Sequence, residues 1–428
     1  MNIQTLHEHF LKSTGICTDT REIEKGSIFV ALKGENFNGN KFTQEALDKG
    51  AYKVIIDEIT YHKNTGETIL CKSALSYLQQ LATFHRNSLK IPIIALTGSN
   101  GKTTTKELIH AVLSKKYNTT ATKGNLNNHI GVPLTLLRMN KETEIGIVEM
   151  GANHLKEIAK LCEIAQPDYG YITNFGKAHL EGFGSLDGVV KGKSELYKHL
   201  IQNGKYLFMN ADDPKQKQIL DPYNKKFGFS ESNQEFSNIK LKACDPYVKA
   251  SFNNVTIASK LIGKYNFTNI CAAIIIGQYF EVTSEDIKKG IEEYTPRNNR
   301  SQVIEKDSNK IILDAYNANP TSMLAALESF KTTSDKNKIV FLGDMFELGD
   351  SAALEHQIIA DYITKYSIGN AFLIGENFSK TKVQNKSITK VESFDKLKKI
   401  LEDKKITSST ILIKASRGMA LERIVGLL

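Results

Sequence analysis

The chain has no long hydrophobic run, no paired cysteines and no clustered basic patch, and each absence removes a class of function. Its longest apolar stretches, such as Ala272 to Gly277, fall far below the ~18 residues that a membrane span needs. The opening MNIQTLHEHF lacks a basic region followed by an apolar segment, so the cytoplasm is the expected compartment and no membrane partner is expected. The five cysteines (Cys17, Cys71, Cys162, Cys244 and Cys271) are odd in number, scattered and free of any CxxC pair. That pattern suits neither a disulfide framework nor a zinc site, and they read as reduced core thiols. The formal charge of +9 would suit nucleic acid. The lysines, however, are interspersed with acids, as in KKGIEEY and KLKKILEDKK, the pattern of solvated helix faces. No nucleic-acid partner is expected, and the basic field is free to draw in nucleotides and other small anions.

What is present is a folded, multidomain composition. At 428 residues, 41% of them hydrophobic and including 16 Tyr and 20 Phe, the chain exceeds one ordinary core. Three consecutive α/β domains are expected: 1–88, 89–297 and 298–428. The first reads as a small alternation, with GSIFVALKGENFNGNKF, a helical TQEALDKGA and a strand-like KVIID. From Ile91 the run IPIIALTG leads through a glycine-bearing loop into KTTTKELIHAVLSKK, and apolar strands recur at Ile145 to Met150, Tyr169 to Asn174 and Lys205 to Asn210. Strands alternating with helical patterns predict a central, P-loop ATPase-type, doubly wound parallel sheet. YTPRNN, at Tyr294 to Asn299, breaks the helical pattern. Beyond it IILDAY, KIVFLGD, AFLIGE and ILIKAS predict a second open, Rossmann-like α/β sheet. No internal repeat or low-complexity tract interrupts this order, and no coiled-coil pattern argues against a monomer.

Gly98-Ser99-Asn100-Gly101-Lys102-Thr103-Thr104 follows a buried strand and opens a helix, the context of a phosphate-binding loop. Its glycines let backbone N–H groups approach phosphates, the helix N-terminus adds positive dipole, Lys102 neutralises charge, and Thr103 or Thr104 can ligate Mg²⁺. The first glycine of the generic GxxxxGK[ST] pattern is missing, yet ATP is the expected ligand. Glu149 ends the strand IGIVEM, at the carboxyl edge where open α/β sheets bind ligands, and is placed to hold Mg²⁺. His179, in FGKAHLEGFGS, reaches the same edge and suits a second metal ion or a structural role. Lys191 and Lys193 follow on a helix. They read as surface charges or as the site of a lysine carbamate that supplies oxygen to a metal.

TGSNGKTTTKE, VEMGANHLKEI, NFGKAHLEGFGS, DAYNANPTSM and LGDMFELG, in this order along essentially the whole chain, resemble the Mur ligases. The resemblance implies an N-terminal domain that grips a UDP-linked precursor, a central ATPase and a C-terminal domain that closes over the site. It implies ATP phosphates at Gly98 through Thr104, Mg²⁺ at Thr103, Glu149 and His179, and a carbamylated Lys193, with Lys102, His179 and Lys193 serving catalysis. Asn266 and Asn269 resemble adenine-side positions. Arg300, Asp314, Asn317 and Pro320 resemble C-terminal positions that meet the nucleotide, and Ser27 and Lys33 are assigned to the UDP-precursor. The absence of a DNPR-like signature favours the dipeptide-adding member over its relative that adds the third amino acid. The implied reaction joins D-alanyl-D-alanine to UDP-N-acetylmuramoyl-tripeptide through an acyl phosphate, without a protein nucleophile, while domains close about a hinge near Arg297 to Arg300. A folylpolyglutamate synthetase-like ligase and a P-loop ATPase switch are the alternatives.

Overall fold

The computed structural model describes residues 1–402 and 404–428. Three principal sheets follow one another along the chain. The first joins Ile16–Cys17, Ile28–Val30, Lys53–Ile56 and Thr68–Leu70, all parallel. Helix Ala74–Leu89 leaves it, started by the Ser73 hydroxyl, which accepts from Ser76 N at 3.2 Å. Its Leu78 and Leu81 share one buried cluster with Ile28 and Val30 of the first sheet and with Ile93 and Ala95 of the second. A continuous core, rather than a slack linker, therefore joins the first two domains.

The second sheet runs Ser237–Asn238, Lys226–Ser230, Tyr206–Asn210, Tyr169–Ile172, Ile93–Thr97, Ile145–Glu149 and Thr119–Ala121, with every pair parallel. Its inner strands Ile93–Thr97 and Ile145–Glu149 are buried along their whole length because both faces are covered. Ile93 and Ala95 pack towards helices Ala74–Leu89 and Glu157–Ala165, whereas Ile94 and Leu96 pack towards Lys102–Leu113 and Asn266–Tyr279. Ile93–Thr97 comes first in sequence yet lies inside the sheet. The chain steps from it to one edge and then crosses to the other side. That reversal makes a topological switch point at its carboxyl end, where ligands bind in such folds.

A three-stranded antiparallel sheet, Lys240–Ala243, Tyr247–Phe252 and Val255–Ile262, also belongs to the central part and was not expected from sequence. Its alternation of buried and exposed residues is that of a sheet with one face on a core, here including helix Asn266–Tyr279. The third sheet orders Gln302–Lys306, Asn309–Asp314, Thr410–Lys414, Lys338–Gly343, Asn370–Ile374 and Ile388–Val391. The first pair is antiparallel and the rest are parallel. The four apolar runs expected there are four of these strands. Between the second and third sheets, helix Ser284–Glu293 stops at Tyr294, and Asn298, Asn299 and Ser301 hold φ of +60°, +57° and +49°.

No helix among the described residues is long and apolar enough to cross a membrane. All five cysteines are free, with Cys17, Cys162 and Cys271 buried.

Candidate active site

The phosphate-binding loop sits at the switch point. Helix Lys102–Leu113 begins at Gly101 with no side-chain cap, so its first-turn N–H groups are left for a ligand. Glycine is required twice. Gly98, at φ +144°, would place a Cβ 2.0 Å from Thr173 Oγ1, and Gly101, at φ +79°, would place one 2.6 Å from Asn269 Oδ1. The neighbouring strand's loop holds the turn from behind. Ser99 N donates to Asn174 O (3.1 Å), Asn100 N donates to Asn174 Oδ1 (3.1 Å), and Thr173 Oγ1 donates to Asn100 O (2.6 Å). Lys102 folds back, giving hydrogen bonds to Gly98 O (2.8 Å) and Ser99 O (3.3 Å). Burial lowers its amine from the ordinary lysine value, against the pull of Glu149.

Glu149 is 1% exposed at the end of its strand. Its Oε1 accepts from Thr103 Oγ1 (3.2 Å) and Asn127 Nδ2 (2.8 Å), while its Oε2 is buried without a hydrogen-bond partner. An orphaned buried carboxylate oxygen beside a threonine hydroxyl is a donor set that fits a hard cation such as Mg²⁺, which takes one or two carboxylates and completes its shell with water and phosphate. A cluster of three or more His, Cys, Asp or Glu that could hold a metal ion is absent among the described residues. His179, at φ +53°, lines the same cavity, and its Nδ1 lies 2.6 Å from Glu347 Oε2.

Lys193 ends helix Leu186–Lys193 and is fully buried, donating to Ala152 O at 2.9 Å with its ammonium 5.1 Å from the Phe183 ring centre. Burial, and then the charge of Lys102, push its amine well below the ordinary lysine value. It stands behind the cavity wall formed by Ala152 rather than lining it, whereas Lys191 is exposed.

The cavity, of about 1030 Å³, is lined from all three domains. Leu75 and Gln79 come from the helix that leaves the first sheet, the loop residues 99–104 with Glu149 and His179 come from the second, and Arg300, Asp314 and Asn317 from the third. Asn266 and Asn269 line it too, their amides tied to Ile262 O (2.7 Å), to each other (2.8 Å) and to Thr105 Oγ1 (3.0 Å). The Arg300 guanidinium lies 3.5 Å from the Tyr316 ring centre. Pro320 does not line the cavity: it is buried at the first turn of helix Pro320–Thr332, behind Asn319. Ser27 and Lys33 lie apart, in the first domain. The Ser27 hydroxyl is buried without a partner, and the Lys33 ammonium is 3.0 Å from Asp57.

Three further residues belong to the site. Asn319 caps helix Pro320–Thr332 and reaches across to Asn100 Oδ1 (2.7 Å), tying the third domain to the phosphate loop. Asn127 orients Glu149. Lys414 is 2% exposed and meets Asp314 Oδ2 at 2.6 Å. Only Lys414 carried a legible signal, a lysine ending the apolar run ILIK at a carboxyl edge.

Residues 96–277 match the Mur ligase middle domain, and residues 299–417 match the Mur ligase, glutamate ligase domain. The chain is 35% identical to the UDP-N-acetylmuramoyl-tripeptide–D-alanyl-D-alanine ligase of Bacillus subtilis, over 96% of this chain and 92% of that one. It is 32% identical to the Escherichia coli protein of the same name, with the same shares covered. Among solved structures it resembles MurF from Acinetobacter baumannii, with a TM-score of 0.87, 29% identity, and 99% and 98% of the two chains covered. It also resembles MurF ligase from Thermotoga maritima in complex with ADP, with a TM-score of 0.85, 27% identity, and 98% and 97% covered.

Proposed function

From the premise that this chain belongs to the Mur ligase family, we propose that all three of its domains serve one reaction. The chain is an ATP-dependent ligase that adds D-alanyl-D-alanine to UDP-N-acetylmuramoyl-tripeptide in peptidoglycan synthesis. The observation that carries this reading is the single cavity reached from all three domains. A nucleotide, a carboxylate and an amine must meet at one point, and this is the place where they can.

A carboxylate is a poor electrophile. Transfer of the γ-phosphoryl group to it gives an acyl phosphate and ADP. Attack by the dipeptide amine then forms the amide and releases phosphate and a proton. Such a transfer asks for positioning and fixed charge more than for covalent help. The bare N-terminus of helix Lys102–Leu113 takes the phosphates along Gly98 to Thr104, and Lys102 moves from its loop carbonyls to the transferring group. Mg²⁺, when bound at Thr103 and Glu149 with His179 beside them, would neutralise phosphate charge and hold its oxygens in place. Lys193 is assigned as a carbamate, its buried amine adding carbon dioxide and losing a proton to give an anion beside Lys102. Asn266 and Asn269 take the adenine side, while Arg300, Asp314 and Asn317 meet the nucleotide from the third domain and Pro320 fixes the helix behind them. Ser27 and Lys33 hold the UDP end. The division at residues 88 and 297, a monomeric state and a cytoplasmic location complete the proposal.

The test is phosphate release from ATP and Mg²⁺ with UDP-N-acetylmuramoyl-tripeptide, with and without D-alanyl-D-alanine, and the product's mass. Release that needs both substrates and yields the pentapeptide is expected. Hydrolysis indifferent to both would overturn the proposal.

A further inference from the structure

Residues 174–181 touch the phosphate loop on one side and the C-terminal domain on the other. Inward, Asn174 accepts from the backbone of Ser99 and Asn100, and the Ser99 hydroxyl both donates to Gly176 O and accepts from Gly176 N at 2.9 Å. Outward, Lys177 N donates to Thr321 Oγ1 (2.9 Å), Glu181 N donates to Glu347 O (3.1 Å), and the Lys177 ammonium donates to Glu355 Oε1 (2.6 Å). A side chain at Gly176 would press on Thr321 at 3.0 Å, so the two surfaces meet without slack.

The Lys177–Glu355 contact is unequal. The Glu355 side chain is 5% exposed and that of Lys177 is 43% exposed. Among the described residues, Lys177 supplies the one hydrogen bond to the Glu355 carboxylate. A carboxylate so deeply buried must be paired, and this one finds its partner in another domain. Opening the domains parts the two side chains, so their ion pair and its 2.6 Å hydrogen bond exist only in the closed arrangement. The pair therefore favours the closed arrangement, and it does so through the same loop that backs the phosphate-binding turn and carries His179.

We propose that Lys177 and Glu355 are the latch that holds the C-terminal domain closed over the phosphate loop, and that they are positioning residues for phosphoryl transfer, acting through residues 174–181. The catalytic half of this rests on the ligase reading; the closure half does not.

The test compares Lys177→Met, Glu355→Gln and the double variant with wild type. It reads kcat and KM for ATP, melting temperature, and small-angle scattering with the nonhydrolysable analogue AMP-PNP and Mg²⁺. Each single change is expected to lower kcat by roughly tenfold or more, with little change in KM, and to enlarge the scattering radius. The double variant is expected to be no worse than the worse single, because the pair acts as a unit. Wild-type kcat with compact scattering in both singles, or a double loss equal to the product of the single losses, overturns the latch. Should Glu355→Gln fail to fold, Lys177→Met, at a half-exposed position, decides alone. If wild-type protein shows no phosphate release dependent on the dipeptide, the ligase reading fails while scattering still decides the latch.

Discussion

Glu149 is kept in one orientation by Thr103 and Asn127, which share its Oε1 and leave Oε2 bare. Groups that orient a metal ligand typically change metal affinity by about tenfold or more when removed. Asn127→Ala is therefore expected to raise the Mg²⁺ concentration for half-maximal activity by roughly tenfold, with nucleotide binding less affected; titration with and without metal distinguishes the two. The role proposed for Lys102 is different, to place its charge where the phosphoryl group passes. Lys102→Met is expected to lower kcat on the order of a hundredfold, as loss of one preorganised donor does elsewhere, while the fold stays intact by circular dichroism. For Lys193, incubation with labelled bicarbonate is expected to give a carbamate signal by NMR that Lys193→Arg abolishes.

At the scale of elements, a pair of histidines links helix Ile3–Lys12 to helix Ala74–Leu89 and, through it, to the central domain. His7 Nε2 lies 3.0 Å from His85 Nδ1, and His85 Nε2 lies 2.9 Å from Met139 O. A carbonyl can only accept, so His85 carries its proton on Nε2 and must accept at Nδ1 from His7. Both rings are buried. Burial lowers both from the ordinary value of 6.5, and for His7 the charge of His85 adds to it while Glu8 opposes it. The sign follows from linkage: the folded state binds fewer protons than the unfolded one, so stability is full above about 6.5 and declines as pH falls from there towards the folded values. The melting temperature should therefore drop between pH 7 and the lowered values, and His85→Gln, which keeps a donor for Met139, should flatten that drop. An equal slope in the variant would show that other groups set it.

At the scale of the molecule, closure is what separates a cavity from three independent surfaces. The segment joining the second and third domains places Asn298, Asn299 and Ser301 in the left-handed region, a conformation that asparagine tolerates and β-branched residues resist. Replacing Asn299 with Val is expected to cost about 1–3 kcal/mol in that conformation, shifting the domain equilibrium and changing kcat and KM together. Scattering should show a compaction of wild type on binding AMP-PNP with Mg²⁺ that the variant lacks; identical curves with and without ligand would count against a hinge near Arg297 to Arg300.

Sequence alone determined the local chemistry. The unbroken apolar runs imply strands covered on both faces, GSNGKTT after such a run implies a glycine-bearing turn that opens a helix, and Glu149 at a strand end implies a carboxylate at the carboxyl edge of the sheet. These features depend on neighbours a few residues away, so they are legible as text. What the tertiary structure decided depends on residues far apart in the chain. Nothing in SNGK tells that Asn100 meets Asn319, that Lys177 faces Glu355, or that Lys414 pairs with Asp314. Nor could spacing show that Lys193 is sealed in the interior while Lys191, two places earlier on the same helix, stands in water. The helix turns by about 100° per residue, and only the packing of the surrounding elements chooses which side is buried.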